Sequence, residues 1–190
     1  ATDLLSHVLA TSEDSTLDRS YQVSRSRLKE ISNARFLYNI PREFWDWTKG
    51  SETLTDLGGS ARAGSTTYDD FRFLSLVWEV APENSGWDQA WVFFSKGGYF
   101  ETYYNDIHLA INWENDGKEV GEFNRIGYGT NAQSRRASSY YRRPGITYPR
   151  RTVKGFSPRN LPKDSIFADK GPVIFTPEES GDSFSLGYWN

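Results

Sequence analysis

The side chains with most chemistry to offer are guanidinium groups in tight pairs: Arg135-Arg136, Arg142-Arg143 and Arg150-Arg151, followed by Lys154 and Arg159. A planar guanidinium donates two parallel hydrogen bonds to one anion, and phosphate is the anion it fits best. Between Gly121 and Asn160 there are nine cations and one carboxylate, Glu122, so that segment carries +8; with a net charge of −3 overall, the remainder carries −11. From Tyr140 to Phe175 the only carboxylates are Asp164 and Asp169, and five of the eight prolines fall there. Rigid turns, aromatic faces and arginines short of carboxylates favour a polyanion, and nucleic acid is the foremost one. The plainer alternative is a solvated Arg-rich surface loop.

Catalytic chemistry is harder to find. There is no cysteine, so disulfides and thiolate catalysis are excluded. The two histidines, His7 and His108, are far apart, and no Gly-x-Ser-x-Gly elbow accompanies them. Glu114, Asp116 and Glu119 cluster around a turn, where solvated acids are the ordinary outcome, and no EF-hand spacing is present. Glu101, Asp106 and Lys96 are the one loose match to a metal-dependent nuclease. A metal-dependent nuclease or hydrolase with an unrecognised site therefore stands as the alternative function. The run Gly58–Gly64 has neither the Gly-Lys-Ser/Thr ending nor the preceding strand of a P-loop. A carbohydrate-binding module, suggested by seven Trp and eleven Tyr, is opposed by the +8 segment, because neutral sugars do not call for arginine clusters.

The elements that must position these groups read as an α+β, strand-rich domain preceded by a helical connector, with residues 1–50 as connector and 51–190 as the domain. Leu4, Leu5, Val8 and Leu9 share one helical face, and Phe36, Leu37, Ile40, Phe44 and Trp47 recur every three or four residues around Pro41. Tyr21–Val23 reads as a short strand. Phe71–Val80 reads as a central strand, apolar on most of both faces, in a long hairpin with Trp91–Phe94. Lys96 stands at the tip of the next turn, ahead of Gly97-Gly98. Ile107–Trp113 is a third strand, closed by Asn115-Asp116-Gly117. Ile146–Tyr148 is extended and ended by Pro149, and Ser165–Phe167 and Pro172–Phe175 are two more short strands. Ser134–Ser139 reads as a short helix presenting Arg135 and Arg136, and Leu186–Trp189 as a final segment that looks cut short. No apolar run approaches the length of a membrane span. The absence of Met and of a signal pattern at Ala1 suggests a piece of a longer protein, and with the lack of Cys it points to the cytoplasm.

Several ordered blocks carry a resemblance. Asp70–Phe73, Trp78–Val80, Trp91, Phe94–Gly98 and Asn112–Gly117 are similar to the C-terminal half of adenine-specific (N6) DNA methyltransferases of phage-exclusion (BREX-type) and type II restriction–modification systems. Arg143–Pro149, Gly155–Arg159 and Asp169–Pro172 follow in the same order, with Tyr148 where the family typically has Trp, and Phe36–Tyr38 resembles the connector helix before this region. The resemblance implies a target recognition domain that grips double-stranded DNA and selects the sequence to be methylated. It also implies a methyltransferase domain elsewhere in the same chain as partner. That domain would bind S-adenosylmethionine and receive the flipped adenine; this segment has no Pro-Pro pair and would bind no cofactor itself. On this reading Arg142, Arg143, Arg150, Arg151, Lys154, Arg159 and Lys170 grip phosphates, with Lys96 and Arg72 as weaker candidates and Thr147, Tyr148 and Ser157 as hydrogen-bond donors. Gln133, Arg135 and Arg136 reach base edges. For Tyr148 the alternative is a core aromatic, and for Arg72 it is an ion pair with Asp69 or Glu79.

Overall fold

Short runs of buried β-branched and aromatic residues build the frame. The computed structural model describes residues 50–177, together with Ser26, Pro41, Glu43, Phe44 and Asp46. The chain divides into two compact units, Ala1–Ser51 and Glu52–Asn190. In the first, Ser26, Glu43, Phe44 and Asp46 are helical. The helix expected over Leu4–Leu9, the strand Tyr21–Val23, most of the helix around Pro41 and the segment Leu186–Trp189 lie outside the described residues. No helix among those described is long and apolar enough to cross a membrane.

The second unit is α+β and strand-rich, with two four-stranded sheets. In the first sheet β1 (Ser60–Arg62), β8 (Val173–Phe175), β5 (Gly145–Thr147) and β6 (Arg159–Leu161) pair antiparallel in that spatial order. β5 and β8 are interior, and every residue in both is buried. Gly145 is required where β5 crosses β8, because a Cβ there would stand 2.6 Å from a Val173 methyl. Pro149 falls beyond the strand, so its missing N–H leaves β5 free to pair on both sides.

In the second sheet the order is β2 (Leu74–Leu76), β4 (Leu109–Asn112), β3 (Trp91–Ser95) and β7 (Ile166–Phe167), with β3 and β7 parallel. The hairpin expected between Phe71–Val80 and Trp91–Phe94 does not form, because β4 lies between them. Nor is Phe71–Val80 a central strand. Asp69 accepts the Arg72 backbone N–H and starts a one-turn helix, α1 (Asp70–Phe73). Three edge residues of β2 follow, then a 3-10 turn in which Glu79 accepts the Leu76 N–H at 3.0 Å. Phe71 and Trp78 point to solvent. The apolar run was thus shared among three elements with different exposures.

The helix α2 (Glu114–Tyr128) was not legible as one. Asn115, Asp116 and Gly117 are left-handed, at φ 52°, 60° and 68°, so the regular helix begins at Lys118. Its buried face is Val120, Gly121 and Asn124, and it ends at Gly129 with φ 75°. Two of those three positions are not apolar, which removes the periodic signal. Residues 132–137 are turns and Ser138–Tyr140 is a 3-10 turn, in place of the expected Ser134–Ser139 helix. One core serves both sheets: Phe73, Val92, Phe94 and Ile111 pack with Leu161, Phe167, Val173 and Phe175, and with Trp113, Val120 and Tyr141.

Candidate nucleic-acid interface

The fold distributes the arginines among several contacts and supplies carboxylates to most of them. Arg135 is ion-paired with Asp116. Arg136 and Arg150 both reach Asp169, at 3.5 and 2.7 Å. Arg142 lies between Asp88 and Asp164 and stacks over Trp87 at 4.7 Å. Arg143 packs against the Tyr140 and Phe175 rings and donates to the Thr176 carbonyl. Arg72 pairs with Glu119 of α2 at 2.8 Å, not with Asp69 or Glu79 as its neighbours in sequence suggested. Lys96 pairs with Asp70. Burial pushes the Asp70 carboxyl up, but hydrogen bonds from Lys96 and Thr67 outweigh it and hold the group below the ordinary carboxylate value. The expectation of arginines without neutralising acids is therefore corrected: Asp88 and Asp116 come in from outside the basic segment, and Asp169 serves two cations.

Three assigned groups are not on the surface at all. Arg159 is 1% exposed. Its guanidinium donates to the Gly97 carbonyl and, at 3.5 Å, to that of Tyr99, while Nε has no partner among the described residues. Burial lowers its proton affinity, although arginine stays charged. This residue secures the loop that follows β3, so its assignment to phosphate gripping is corrected. Ser157 is wholly buried and exchanges two hydrogen bonds with the Glu101 backbone. Thr147 is buried in β5 and donates to the Gly171 carbonyl. Both hydroxyls are engaged with backbone carbonyls. Tyr148 is half-buried, 5.4 Å from the Phe156 ring.

Gln133 is half-buried, and its carbonyl accepts the Thr66 N–H. The turn around it is held by Tyr141, whose hydroxyl donates to the Arg136 carbonyl at 2.9 Å; burial pushes that phenol well above its ordinary pKa. Gln133, Arg135 and Arg136 are therefore on one rigid turn, but Arg135 leans to Asp116 on α2 and Arg136 to Asp169.

What the structure does bring together surrounds the loop Lys96–Tyr99. Gly97 and Gly98 are left-handed, at φ 94° and 79°, and the chain passes so close to Lys170-Gly171 that a Cβ on Gly97 would collide with the Lys170 carbonyl. Three adjoining clefts share this loop. A cleft of about 480 Å³ is lined by Lys96, Arg159, Lys170, Glu101, Asp106 and His108, among others. One of about 330 Å³ lies among Lys96, Arg150, Arg151, Asp169 and Lys170. One of about 450 Å³ runs from Gly98–Phe100 to Arg151–Lys154. Arg151, Lys154 and Lys170 are exposed, and among the described residues no carboxylate pairs with them. Tyr99 is 89% exposed beside them, and Tyr103, Tyr104 and Phe156 are exposed nearby in sequence.

Tyr99 and Val153, both exposed at the third cleft, are not among the residues the sequence singled out. The available signal was Gly97-Gly98 directly before an aromatic pair, in a turn noted only for its lysine. Glu101, Asp106 and Lys96, the nuclease-like trio, do line one cleft. Lys96 is held by Asp70, however, and Asp106 accepts the Tyr104 hydroxyl at 2.5 Å. Among the described residues no three His, Asp or Glu side chains converge as a metal site would require.

No protein-family model matches the chain. It is similar to the adenine-specific methyltransferase BrxX of Escherichia coli O9:H4 (strain HS), with 29% identity over 96 residues. The match takes in 50% of this chain and 7% of that protein, so the chain spans a small part of the relative's length. The likeness is to a methyltransferase-related region. In the run Gly58–Gly64, Gly59 is packed on Leu54 and Gly64 on the Phe167 backbone.

Proposed function

We propose that this chain is a sequence-specific DNA recognition module of an adenine-specific DNA methyltransferase, acting beside a catalytic domain of the same parent chain. The observation that carries the reading is the exposed rim of Arg151, Lys154 and Lys170, free of carboxylate partners among the described residues and adjoining an exposed tyrosine. Cations left unpaired at a cleft bind phosphates and release counterions, which makes affinity fall with salt. The similarity to BrxX supplies the methyltransferase context.

In this reading Arg151, Lys154 and Lys170 make the first phosphate contacts. Lys96, Arg142, Arg143, Arg150 and Arg72 are already partnered, and they contribute where a phosphate replaces a carboxylate, ring or carbonyl. Gln133, Arg135 and Arg136 read base edges from their common turn. S-adenosylmethionine, the chemistry and the cytoplasmic setting belong to the parent protein.

Fluorescence anisotropy with a labelled duplex across a salt series tests this. Replacing Arg151 and Lys154 together by Glu should weaken binding to every sequence and flatten the dependence of log K on log salt by about two contacts' worth. Changing Gln133 or Arg136 should alter sequence preference more than affinity. Wild-type chain that ignores duplex DNA, or binds it independently of salt, overturns the reading.

A further inference from the structure

We propose that the slot between Gly98–Phe100 and Arg151–Lys154 receives a nucleobase that has left the duplex stack, held against Tyr99; this rests on the DNA-binding reading above. The slot has a volume of about 450 Å³. Tyr99 and Phe100 form one side, and Arg151, Thr152, Val153 and Lys154 the other. Among the described residues no carboxylate lines it, whereas Glu101 and Asp106 line the larger neighbouring cleft. Aromatic faces together with cations, and no acid, are what a base with its phosphates requires.

The apolar groups here stand in water. Tyr99 is 89% exposed and Val153 102%. Lys154 reaches across, its Nζ 5.9 Å from the Phe100 ring centre, so the two sides already touch through a cation and a ring. The backbone beneath Tyr99 is fixed from below. The left-handed turn at Gly97-Gly98 aims the chain, and Arg159 holds the carbonyls of Gly97 and Tyr99. The backbone that carries the stacking ring is thus anchored before a ligand arrives. A base inside intact duplex has both faces covered by its neighbours and cannot use such a surface. It must leave the stack, at a cost that is smallest where pairing is already absent.

The expected signature is a preference for DNA carrying an unpaired base. Labelled duplexes of one sequence, fully paired or with a single-nucleotide bulge, are compared by anisotropy at fixed salt. Wild-type chain should bind the bulged duplex about tenfold tighter, the scale of one base–aromatic stack. Tyr99→Ala should abolish the preference and leave the chain folded, since an exposed side chain carries little of the fold. Tyr99→Phe should keep the preference, because the ring and not the hydroxyl does the stacking. The Arg151/Lys154 double charge reversal should weaken both duplexes. Salt-sensitive binding with no preference for the bulge, or a preference that survives Tyr99→Ala, overturns the slot and leaves the recognition reading standing. Binding of an oligo-dT single strand that depends on Tyr99, with no binding of paired duplex, upholds the slot and overturns duplex recognition.

Discussion

Arg159 shows how far residue type alone can mislead. It stands in a run of cations, yet its side chain is buried under the Gly97–Tyr99 loop with no carboxylate bonded to it among the described residues. A buried charge of this kind is costly to desolvate, and its donors satisfy backbone carbonyls that would otherwise be stranded. Arg159→Met should lower unfolding stability in urea by about 2–4 kcal/mol, from the orphaned carbonyls more than from lost charge. Arg151→Met, on an exposed side chain, should change stability by less than about 0.5 kcal/mol while weakening DNA binding. Equal destabilisation by the two would show that Arg159 is not the buried anchor described. In the sequence both are simply arginines near a proline. What separates them is that Arg159 opens β6, with its side chain on the inward face, and Arg151 lies in the loop before it.

At the scale of elements, the β3–β7 pair and the two loops that follow it make the site. Parallel pairing of Phe94 with Ile166 and Ser95 with Phe167 sends Lys96-Gly97-Gly98 and Asp169-Lys170-Gly171 out in the same direction, where they cross. Gly97 lies at the crossing with φ 94°. Gly97→Ala adds both a strained left-handed residue and a Cβ against the Lys170 backbone, and should cost about 1–3 kcal/mol in thermal or urea unfolding. A Gly97→Ala protein as stable as wild type would mean the loops do not approach this closely. The strands themselves were readable, since β3, β4, β5, β7 and β8 each fall within an apolar or β-branched run. Their partners were not. Pairing between Trp91–Ser95 and Ile166–Phe167 joins segments far apart in sequence, and nothing local to either specifies the other.

Across the whole molecule, carboxylates compete with any polyanion for the same cations. Asp169 alone holds Arg136 and Arg150. Asp169→Asn keeps the shape and removes the competitor, so duplex affinity should rise severalfold and the salt dependence should steepen by about one contact, that of Arg150. Unchanged or weaker binding would show that these two arginines do not face the DNA. The segment from Gly121 to Asn160 is as basic as its composition states, but Arg159 is buried and Arg135, Arg136, Arg142 and Arg150 meet carboxylates. By itself the amino-acid sequence determined the class of fold, the uneven charge and most strand positions, because side-chain size, branching and charge act locally and can be summed along the chain. Which arginines remain available, which carboxylates take the others and where Tyr99 stands relative to Arg151 were decided only by tertiary structure. Burial and ion pairing depend on distances between residues the sequence keeps far apart, and those distances exist only once the two sheets share a core.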